Sequence, residues 1–334
     1  MFKVSLRNFC WRTVLILTLI LVLSTSVMAS SYKFCVSMGW LENASGQRFK
    51  YGFESAFKEF GITDVTYTDA NYDPKRQSEQ IDAFIKMKPD AIFITPSNPV
   101  AIVPAVRRAI EAGIPVFASD SYIPGASVTT TVCSDGFGMG VYSAQYVVNQ
   151  LNGKGEIGVI DLPAHEGWDI RYRGFQWVLK QNPGIKVVSK WSWDSTGQVT
   201  PRQAVDNMLT SHPEKGSIDA IWCAWDGAAM EGALAITSAG REKEIFTTGI
   251  DGGKQAFEYI KSGTPFKLTM AQSVYTMSYM AVYYANQFLE GEIVPRLIIS
   301  PVYAVTKEDL EGIENSENYD MPGVAKKFGW ERAN

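Results

Sequence analysis

Histidine and cysteine are scarce in this sequence, which has 334 residues but only 2 histidines and 4 cysteines. His165 and His212 have no cysteine or histidine partner at a metal-binding spacing, which argues against a zinc-type centre. The nucleophile motif G-x-S-x-G and the phosphate loop G-x-x-x-x-G-K-[ST] are also absent. We therefore expect no enzymatic activity, no metal and no cofactor.

A dinucleotide-binding loop is missing as well, although GFGMG at 136–140 is rich in glycine. It lacks the third glycine at the required spacing, and no acidic residue ends a strand about 20 residues further on. We expect these glycines to allow close helix packing beside the capping pair Ser134-Asp135.

A membrane-spanning run of about 20 apolar residues is also absent. The longest apolar run, Val14–Leu23, follows the basic residues Lys3, Arg7 and Arg12 and precedes small residues up to Ala29. This order is typical of a secretory signal peptide, so we expect export to the periplasm and cleavage near Ala29. An uncleaved membrane anchor is the alternative.

Positive charge is in deficit. The chain has 31 basic and 35 acidic residues, and removing the three basic leader residues leaves 28 against 35, a net charge of −7. A nucleic-acid partner would require a basic face, so it is excluded.

Cysteines Cys35, Cys133 and Cys223 remain after the leader, and all three lie in apolar runs. Because their number is odd, they can form at most one disulfide. We expect them to be buried as small hydrophobic residues.

What the sequence does contain is an internal echo. Residues 81–98 and 205–227 both read as a helix followed by a strand DAI(F/W), and each is followed by a helix and a strand that delivers an aspartate, Asp120 or Asp251. Two such βαβ units predict two similar α/β domains with parallel sheets. Parallel sheets bind ligands beyond the carboxyl ends of their strands, so the ligand is expected between the two halves.

Hydrophobic periodicity places the elements of both halves. The predicted helices cover 46–60, 137–150 and 274–290, with others starting at Pro74 and at Asn98-Pro99; Pro104 makes the first turn of the latter irregular. The predicted strands are 33–38, 65–68, 90–95, 114–119, 128–133, 156–160, 185–190, 219–224, 245–250, 267–271 and 297–302. Residues 313–334 have no clear period and are expected to wrap over the surface.

Aromatic and acidic residues recur together in the loops at these strand ends. The loops are 37–42, 119–122, 165–171, 191–194 and 225–226, with Asp251 and Gln272 at two further ends. Aromatic rings cover the C–H faces of sugars, while carboxylates, amides and guanidinium groups bind their hydroxyls. Asp194 and Asp226 are as compatible with helix N-caps as with ligand contacts. His165 is compatible with a ligand contact or a structural role, and Trp222 is expected in the core.

At this point the chain resembles the periplasmic sugar-binding proteins of the ribose/galactose-binding class, the solute receptors of ABC importers. The resemblance covers nearly all of 33–311 and rests on stretches such as DANYDPKRQSEQIDAFIKMKPDAIFITPSN, RYRGFQWVLKQNPGIKVV and GIDGG. It implies two Rossmann-like domains joined by a three-crossover hinge, with lobes 30–134 plus 273–301 and 135–272 plus 302–334. The ligand-binding residues that we expect are Ser37, Trp40, Asp120, Ser121, Trp168, Asp169, Arg171, Trp193, Trp225, Asp251 and Gln272.

Two departures from the ribose-like pattern bear on the ligand. Ser121 replaces an arginine after Asp120, and Asp169 stands where the first arginine of R-x-R-x-x-G-F is expected, leaving Arg171 as the second. These changes favour a small neutral sugar or polyol, keep a cationic ligand as an alternative and disfavour anions. The resemblance further implies a monomer that delivers its ligand to an ABC permease. A receptor for a chemoreceptor or histidine kinase is the alternative.

Overall fold

A computed structural model describes residues 32–163, 165–194 and 197–312. The expected signal peptide at 1–29 and the expected surface extension at 313–334 lie outside these residues.

Two six-stranded sheets form the molecule, each flanked by helices. In chain order the elements are β1 (Lys33–Met38), α1 (Ala44–Glu59), β2 (Asp64–Asp69), α2 (Pro74–Met87), β3 (Ala91–Thr95), α3 (Val103–Glu111), β4 (Val116–Asp120), β5 (Thr130–Ser134), α4 (Gly136–Gln150), β6 (Gly155–Asp161), α5 (Glu166–Gln181), β7 (Ile185–Ser192), α6 (Pro201–Ser211), β8 (Ala220–Cys223), α7 (Asp226–Ser238), β9 (Phe246–Asp251), α8 (Lys254–Lys261), β10 (Phe266–Gln272), α9 (Val274–Leu289), β11 (Leu297–Ser300), β12 (Val302–Val305) and a 3-10 turn (Glu308–Leu310).

The first sheet has the strand order β11-β5-β4-β3-β1-β2, and the second has the order β12-β10-β9-β8-β6-β7. All neighbouring strands are parallel except β12, which runs antiparallel to β10.

The chain passes between the two sheets three times. It leaves the first sheet after β5, returns after β10 to place α9 against α1, and leaves again between β11 and β12. The fold is therefore two Rossmann-like α/β lobes linked by three crossovers, as the resemblance implies. We call the unit around the first sheet lobe 1 and the unit around the second sheet lobe 2.

The core of lobe 1 shows why the predicted periodicity produces this arrangement. Phe49, Phe53 and Phe57 recur on one face of α1 and are at most 4% exposed, packed with Phe93 of β3 and with α9. Burying each such ring contributes about 2–3 kcal/mol relative to leaving it in water. The buried face of α1 fixes its N-terminus, where the chain from β1 enters, at the strand ends.

Three predicted elements are wrong in detail. The single strand predicted at 297–302 is two strands, β11 and β12, because Pro301 lies where the chain passes from one sheet to the other. The helix predicted from Asn98 starts at Val103, which puts Pro104 in its first turn, where a missing N–H is tolerated. The loop predicted at 165–171 is the first part of α5, which starts at Glu166.

The glycines of GFGMG have the packing role that the sequence predicts. Asp135 caps α4 by accepting a hydrogen bond from the Gly138 N–H at 2.8 Å. A Cβ at Gly140 would overlap the carbonyl oxygen of Arg171, and a Cβ at Gly174 would overlap that of Phe137. Close contact between α4 and α5 therefore depends on these glycines, and this contact sets the position of Arg171.

The cysteines of the described ranges lie in the interior of the two lobes. Cys35, Cys133 and Cys223 are free and buried, as predicted, and burial raises the pKa of Cys35 to about 11 and that of Cys133 to about 12. Across these same ranges no three His, Cys, Asp or Glu residues are grouped as a metal site. None of the described helices is both long and apolar enough to span a bilayer.

Candidate functional site: a cavity between the lobes

A cavity of about 240 Å³ lies between the carboxyl ends of the strands of both sheets. This volume is just below the range of roughly 300–1,000 Å³ that is usual for ligand pockets, so it suits a small molecule. Both lobes supply its walls, which are lined by Trp40, Glu42, Asn43, Ser45, Tyr72, Asp120, Leu162, Trp168, Arg171, Trp193, Pro201, Trp225, Asp251, Gln272 and Glu231.

Five aromatic rings form most of the apolar lining. In lobe 1, Trp40 and Tyr72 stack with their planes 5° apart and their centroids 5.7 Å apart. From lobe 2, Trp168 meets Trp40 edge-on at 5.1 Å and 75°, and Trp193 meets Tyr72 at 5.8 Å and 62°. Trp225 in turn meets Trp193 at 71°. The rings therefore face the cavity from several sides, and two of these ring pairs join the lobes.

Asp120 and Asp251 occupy matching places at the ends of β4 and β9, and both have unusual backbones. Their φ angles are +77° and +140°, in the region that residues other than glycine rarely adopt. Such a conformation costs on the order of 1–3 kcal/mol and persists only where the surroundings impose it. The strain recurs at both halves of the internal echo, and both side chains line the cavity.

Asp251 is held by its own lobe. Its carboxylate pairs with the Arg171 guanidinium at 3.1 Å and accepts a hydrogen bond from the Gln272 amide at 2.9 Å. Arg171 also donates to the Ala224 carbonyl oxygen at 2.8 Å and is almost fully buried. Burial raises the pKa of Asp251, and the nearby Arg171 and Arg48 charges oppose this effect.

Behind Asp251, a second buried carboxylate fixes the turn that carries it. Asp226 accepts a hydrogen bond from the Gly252 N–H at 2.7 Å and from the Thr269 hydroxyl at 2.8 Å. It is 4% exposed, and its side chain does not cap α7, where it is the first residue. Of the two roles considered from the sequence, the N-cap is wrong and ligand contact stays a prediction; the side chain forms a brace between β9, β10 and α7.

Asp120 has weaker support within lobe 1. It accepts a hydrogen bond from its neighbour Ser121 at 2.7 Å, and its other hydrogen-bond partner is Trp168 of lobe 2. Burial raises the pKa of Asp120, and these two bonds together with the Arg171 charge only partly oppose the rise. The surroundings of this carboxylate are therefore completed by residues from across the cleft.

His165 joins the lobes on the same side. Its Nε2 lies 3.1 Å from the Pro96 carbonyl oxygen of lobe 1, and its ring stacks on Trp168 at 3.7 Å and 13°. The residue is 3% exposed and does not line the cavity. Of the two roles open for it, the structural one fits this geometry, because the imidazole supports a cavity wall rather than facing a ligand.

Eight of the eleven residues expected to bind a ligand line the cavity: Trp40, Asp120, Trp168, Arg171, Trp193, Trp225, Asp251 and Gln272. Their contact with a ligand stays a prediction. Trp222, expected in the core, is fully buried and donates to the Ser143 hydroxyl at 2.8 Å.

The other three lie elsewhere. Ser37 is fully buried within β1, and its hydroxyl accepts a hydrogen bond from the Gln77 amide at 3.1 Å. Ser121 is turned towards Asp120 and packs against Gly167 at the start of α5. Asp169 pairs with Arg173 at 3.4 Å, one turn along α5 and away from the lining. Ser37 precedes the loop that reaches the cavity, and Asp169 lies on the wrong face of a helix that was predicted as a loop.

Sequence reasoning missed seven lining residues: Glu42, Asn43, Ser45, Tyr72, Leu162, Pro201 and Glu231. Asn43 and Tyr72 belong together, because the Asn43 amide donates to the Tyr72 hydroxyl at 2.7 Å while its Oδ1 caps α1. Tyr72 has a φ of +61° in the turn between β2 and α2. The sequence indicates this turn through the segment DANYDP, because an Asp followed by Pro after a strand is typical of the start of a helix.

Comparison with known proteins agrees with this architecture. The chain is 28% identical over 288 residues to the ribose import binding protein of Bacillus subtilis (strain 168), covering 85% of this chain and 90% of that protein. It is 27% identical over 267 residues to the xylitol-binding protein of Mycolicibacterium smegmatis, covering 78% of this chain and 74% of that one. An ABC transporter solute binding protein from Agrobacterium vitis, solved with bound allitol, superposes with a TM-score of 0.77 at 25% identity, covering 84% and 97% of the two chains.

A family model described as the periplasmic binding protein domain matches residues 34–293, well over half of the sequence. The same residues contain both sheets up to β10, the paired aspartates and the aromatic lining of the cavity. On the match and the architecture together, the chain belongs to the periplasmic binding protein family.

Proposed function

We propose that this chain is the exported solute receptor of an ABC importer, and that it binds one small sugar or polyol between its lobes. In this proposal the leader is cleaved near Ala29, and the lobes are 30–134 plus 273–301 and 135–272 plus 302–334. The receptor acts as a monomer, closes about its three crossovers when the ligand binds, and presents the closed form to a membrane permease.

The observation that carries the proposal is the composition of the interlobe cavity. Rings such as Trp40 and Trp225 suit the C–H faces of a sugar or polyol, and Asp120, Asp251 and Gln272 suit its hydroxyls. Because both lobes contribute, a ligand that touches both stabilises the closed arrangement over the open one. The ribose, xylitol and allitol in the names of the related proteins are molecules of this size and chemistry.

Calorimetry on the mature protein with a panel of pentoses, hexoses and linear and cyclic polyols tests the binding. We expect at least one member to bind with a stoichiometry of one. The Trp225→Ala variant should lose that binding by a factor of about 10 or more, because one stacked ring is removed from the wall. Trp177→Ala is a matched control, since Trp177 is 51% exposed and lies outside the lining. Absence of binding across the panel would contradict the proposal.

Small-angle X-ray scattering with and without the best ligand tests hinge closure. A smaller radius of gyration in the bound state is expected, whereas an unchanged radius would remove closure from the proposal.

Uptake separates the importer from a sensor. A strain without this protein should fail to take up labelled ligand at low concentration. Normal uptake with loss of chemotaxis or induction would instead assign the protein to a chemoreceptor or histidine kinase.

A further inference from the structure

Negative charge exceeds positive charge around the interlobe cavity. Four carboxylates line it, from Glu42, Asp120, Glu231 and Asp251, against a single guanidinium from Arg171. Glu42 is exposed at the rim, so its contribution is screened by water, whereas Asp120 and Asp251 lie deeper. Among the deep carboxylates, Asp251 has the charges of both Arg171 and Arg48 nearby, whereas the positive charge that acts on Asp120 is that of Arg171.

The positive charge near Asp120 is already engaged by other groups. Arg171 pairs with Asp251 at 3.1 Å and donates to the Ala224 carbonyl oxygen at 2.8 Å. Asp120 receives neutral donors, the Ser121 hydroxyl and Trp168. The pKa of Asp120 is raised by burial even with Arg171 nearby, which fits a carboxylate short of positive charge. A ligand that closes the cleft and expels water would leave this charge uncompensated unless it brings its own.

The rings around Asp120 suit a cation. Trp40 and Tyr72 stack almost in parallel, and Trp168 stands nearly at right angles to Trp40. The Asp120 carboxylate, which Trp168 contacts, therefore lies beside rings of two different orientations. Ring faces attract ammonium groups most strongly when the cation is desolvated, and carboxylates beside rings add a direct charge partner.

We propose that the ligand of this cavity carries one ammonium group beside its hydroxyls, which makes it an amino sugar or an amino-deoxy polyol. The inference rests on the proposed function and sharpens its substrate class, in place of the neutral ligand expected from the sequence. The ammonium donates up to three hydrogen bonds and is placed at Asp120 between Trp40 and Trp168. The hydroxyls are left to Asp251 and Gln272. A neutral polyol would satisfy the same acceptors but leave the excess negative charge in place.

Matched pairs test this inference in the intact mature protein. Calorimetry at neutral pH and physiological salt would compare D-sorbitol with 1-amino-1-deoxy-D-sorbitol, D-galactose with D-galactosamine, and myo-inositol with an amino-deoxy inositol. In the pair whose carbon frame fits, the amine is expected to bind at least about tenfold more tightly, a difference of about 1.4 kcal/mol.

Asp120→Asn assigns the preference to its site. The variant keeps the shape of the side chain and removes its charge, so the preference for the amine over its neutral partner should fall to about onefold. Asp169→Asn is the matched control, because Asp169 pairs with Arg173 outside the cavity, and it should keep the full preference. Circular dichroism and thermal unfolding confirm that both variants are folded.

Two results would overturn the inference, and they are distinguishable. If the neutral member of every pair binds as tightly as its amine or more tightly, the ammonium is wrong while the sugar or polyol receptor stands. If no member of any pair binds and the wider neutral panel also fails, the proposed function itself is wrong. A preference for the amine that survives in Asp120→Asn would move the ammonium away from Asp120 and contradict the placement argued here.

Discussion

Asp120 and Asp251 end equivalent strands of the two lobes, yet their lobes hold them in different ways. Asp251 has an ion pair to Arg171 and an amide bond from Gln272, and the turn after it is braced by Asp226. Asp120 has its neighbour Ser121, and its remaining hydrogen-bond partner comes from the other lobe. The same strained backbone is thus supported from within in lobe 2 and from across the cleft in lobe 1.

This difference indicates the order in which the site is completed. In lobe 2 the hydrogen bonds and the ion pair that hold Asp251 come from residues of the same lobe, and Arg48 of lobe 1 adds a nearby positive charge. The half in lobe 1 gains Trp168 beside Asp120 only when the lobes approach. A ligand would therefore meet a preformed surface on lobe 2, and closure would supply the rest. Such preorganisation of one surface reduces the ordering cost of binding.

Removing each aspartate should separate the two modes of support most strongly. Asp251→Ala leaves the Arg171 guanidinium buried without its ion partner, which we expect to lower the free energy of unfolding by about 3–5 kcal/mol and to abolish measurable binding. Asp120→Ala should change stability by less than about 1 kcal/mol, because its burial already opposes the charged form, while affinity falls roughly 10- to 100-fold. Urea unfolding and calorimetry on both variants measure the two effects.

A double variant checks the stated cause. In Asp251→Ala/Arg171→Met the unpaired guanidinium is gone, so a large part of the lost stability should return without any recovery of binding. Equal stability losses in the two single alanine variants would show that the lobes hold their aspartates alike and would break the comparison.

Asp226 tests the brace behind Asp251, since it lies outside the lining of the 240 Å³ cavity. Asp226→Ala removes the acceptor of the Gly252 N–H and of the Thr269 hydroxyl, and each buried donor left unpaired costs about 1–3 kcal/mol. We expect lower stability and an affinity reduced roughly tenfold, because the turn that aims Asp251 is released. Thr269→Val removes only the hydroxyl and should show a smaller loss of both. Full affinity in Asp226→Ala would show that the turn holds its shape unaided.

The pH dependence of stability should carry the signature of the same carboxyl. Burial, followed by the charge of Asp251, raises the pKa of Asp226 from an ordinary 3.8 to about 7. The folded state therefore binds this proton more tightly than the unfolded state. The protonated carboxyl's contribution to the free energy of unfolding is complete below about pH 4 and is lost as the pH rises through about 7. Compared with Asp226→Asn, which does not titrate, the wild type should lose stability across this window. Each unit of pKa displacement corresponds to about 1.4 kcal/mol. Parallel profiles for the two proteins would contradict the raised pKa.

The fold could be predicted from the sequence because its signals are local and repeated. Phenylalanines at helical spacing in 49–57, buried apolar runs such as 91–95 and the echo ending at Asp120 and Asp251 each fix an element by periodicity. The split at Pro301 could not be read in this way, since Leu297–Val302 is one apolar run and only the pairing of its two parts with different sheets separates them.

The candidate site was less accessible to such reasoning. Residues at or shortly after the end of a strand, such as Asp120 and Trp40, were found because strand ends converge. Asp169 was misplaced because four residues separate it from Arg173 on one helix face, a pairing that is invisible if the segment is taken as a loop. Tyr72 and Glu231 reach the cavity through the packing of whole helices and turns, which no local pattern encodes.

The smallest expected effect concerns the contact that brings lobe 2 to Asp120. His165→Ala removes the hydrogen bond to the Pro96 carbonyl oxygen, which forms only when the lobes meet, and the ring that stacks on Trp168 within lobe 2. A neutral hydrogen bond is worth about 0.5–1.5 kcal/mol, so affinity should fall by roughly 2- to 12-fold with little change in the melting temperature of the ligand-free protein. His212→Ala, at the end of α6 in lobe 2, should bind like the wild type.

Since the Asp120 side depends on closure, the loss of affinity from His165→Ala should shrink when Asp120 is already alanine. The loss should persist when Gln272, on the Asp251 side, is alanine. Additive losses in the first pair would mean that His165 supports the closed state independently of Asp120.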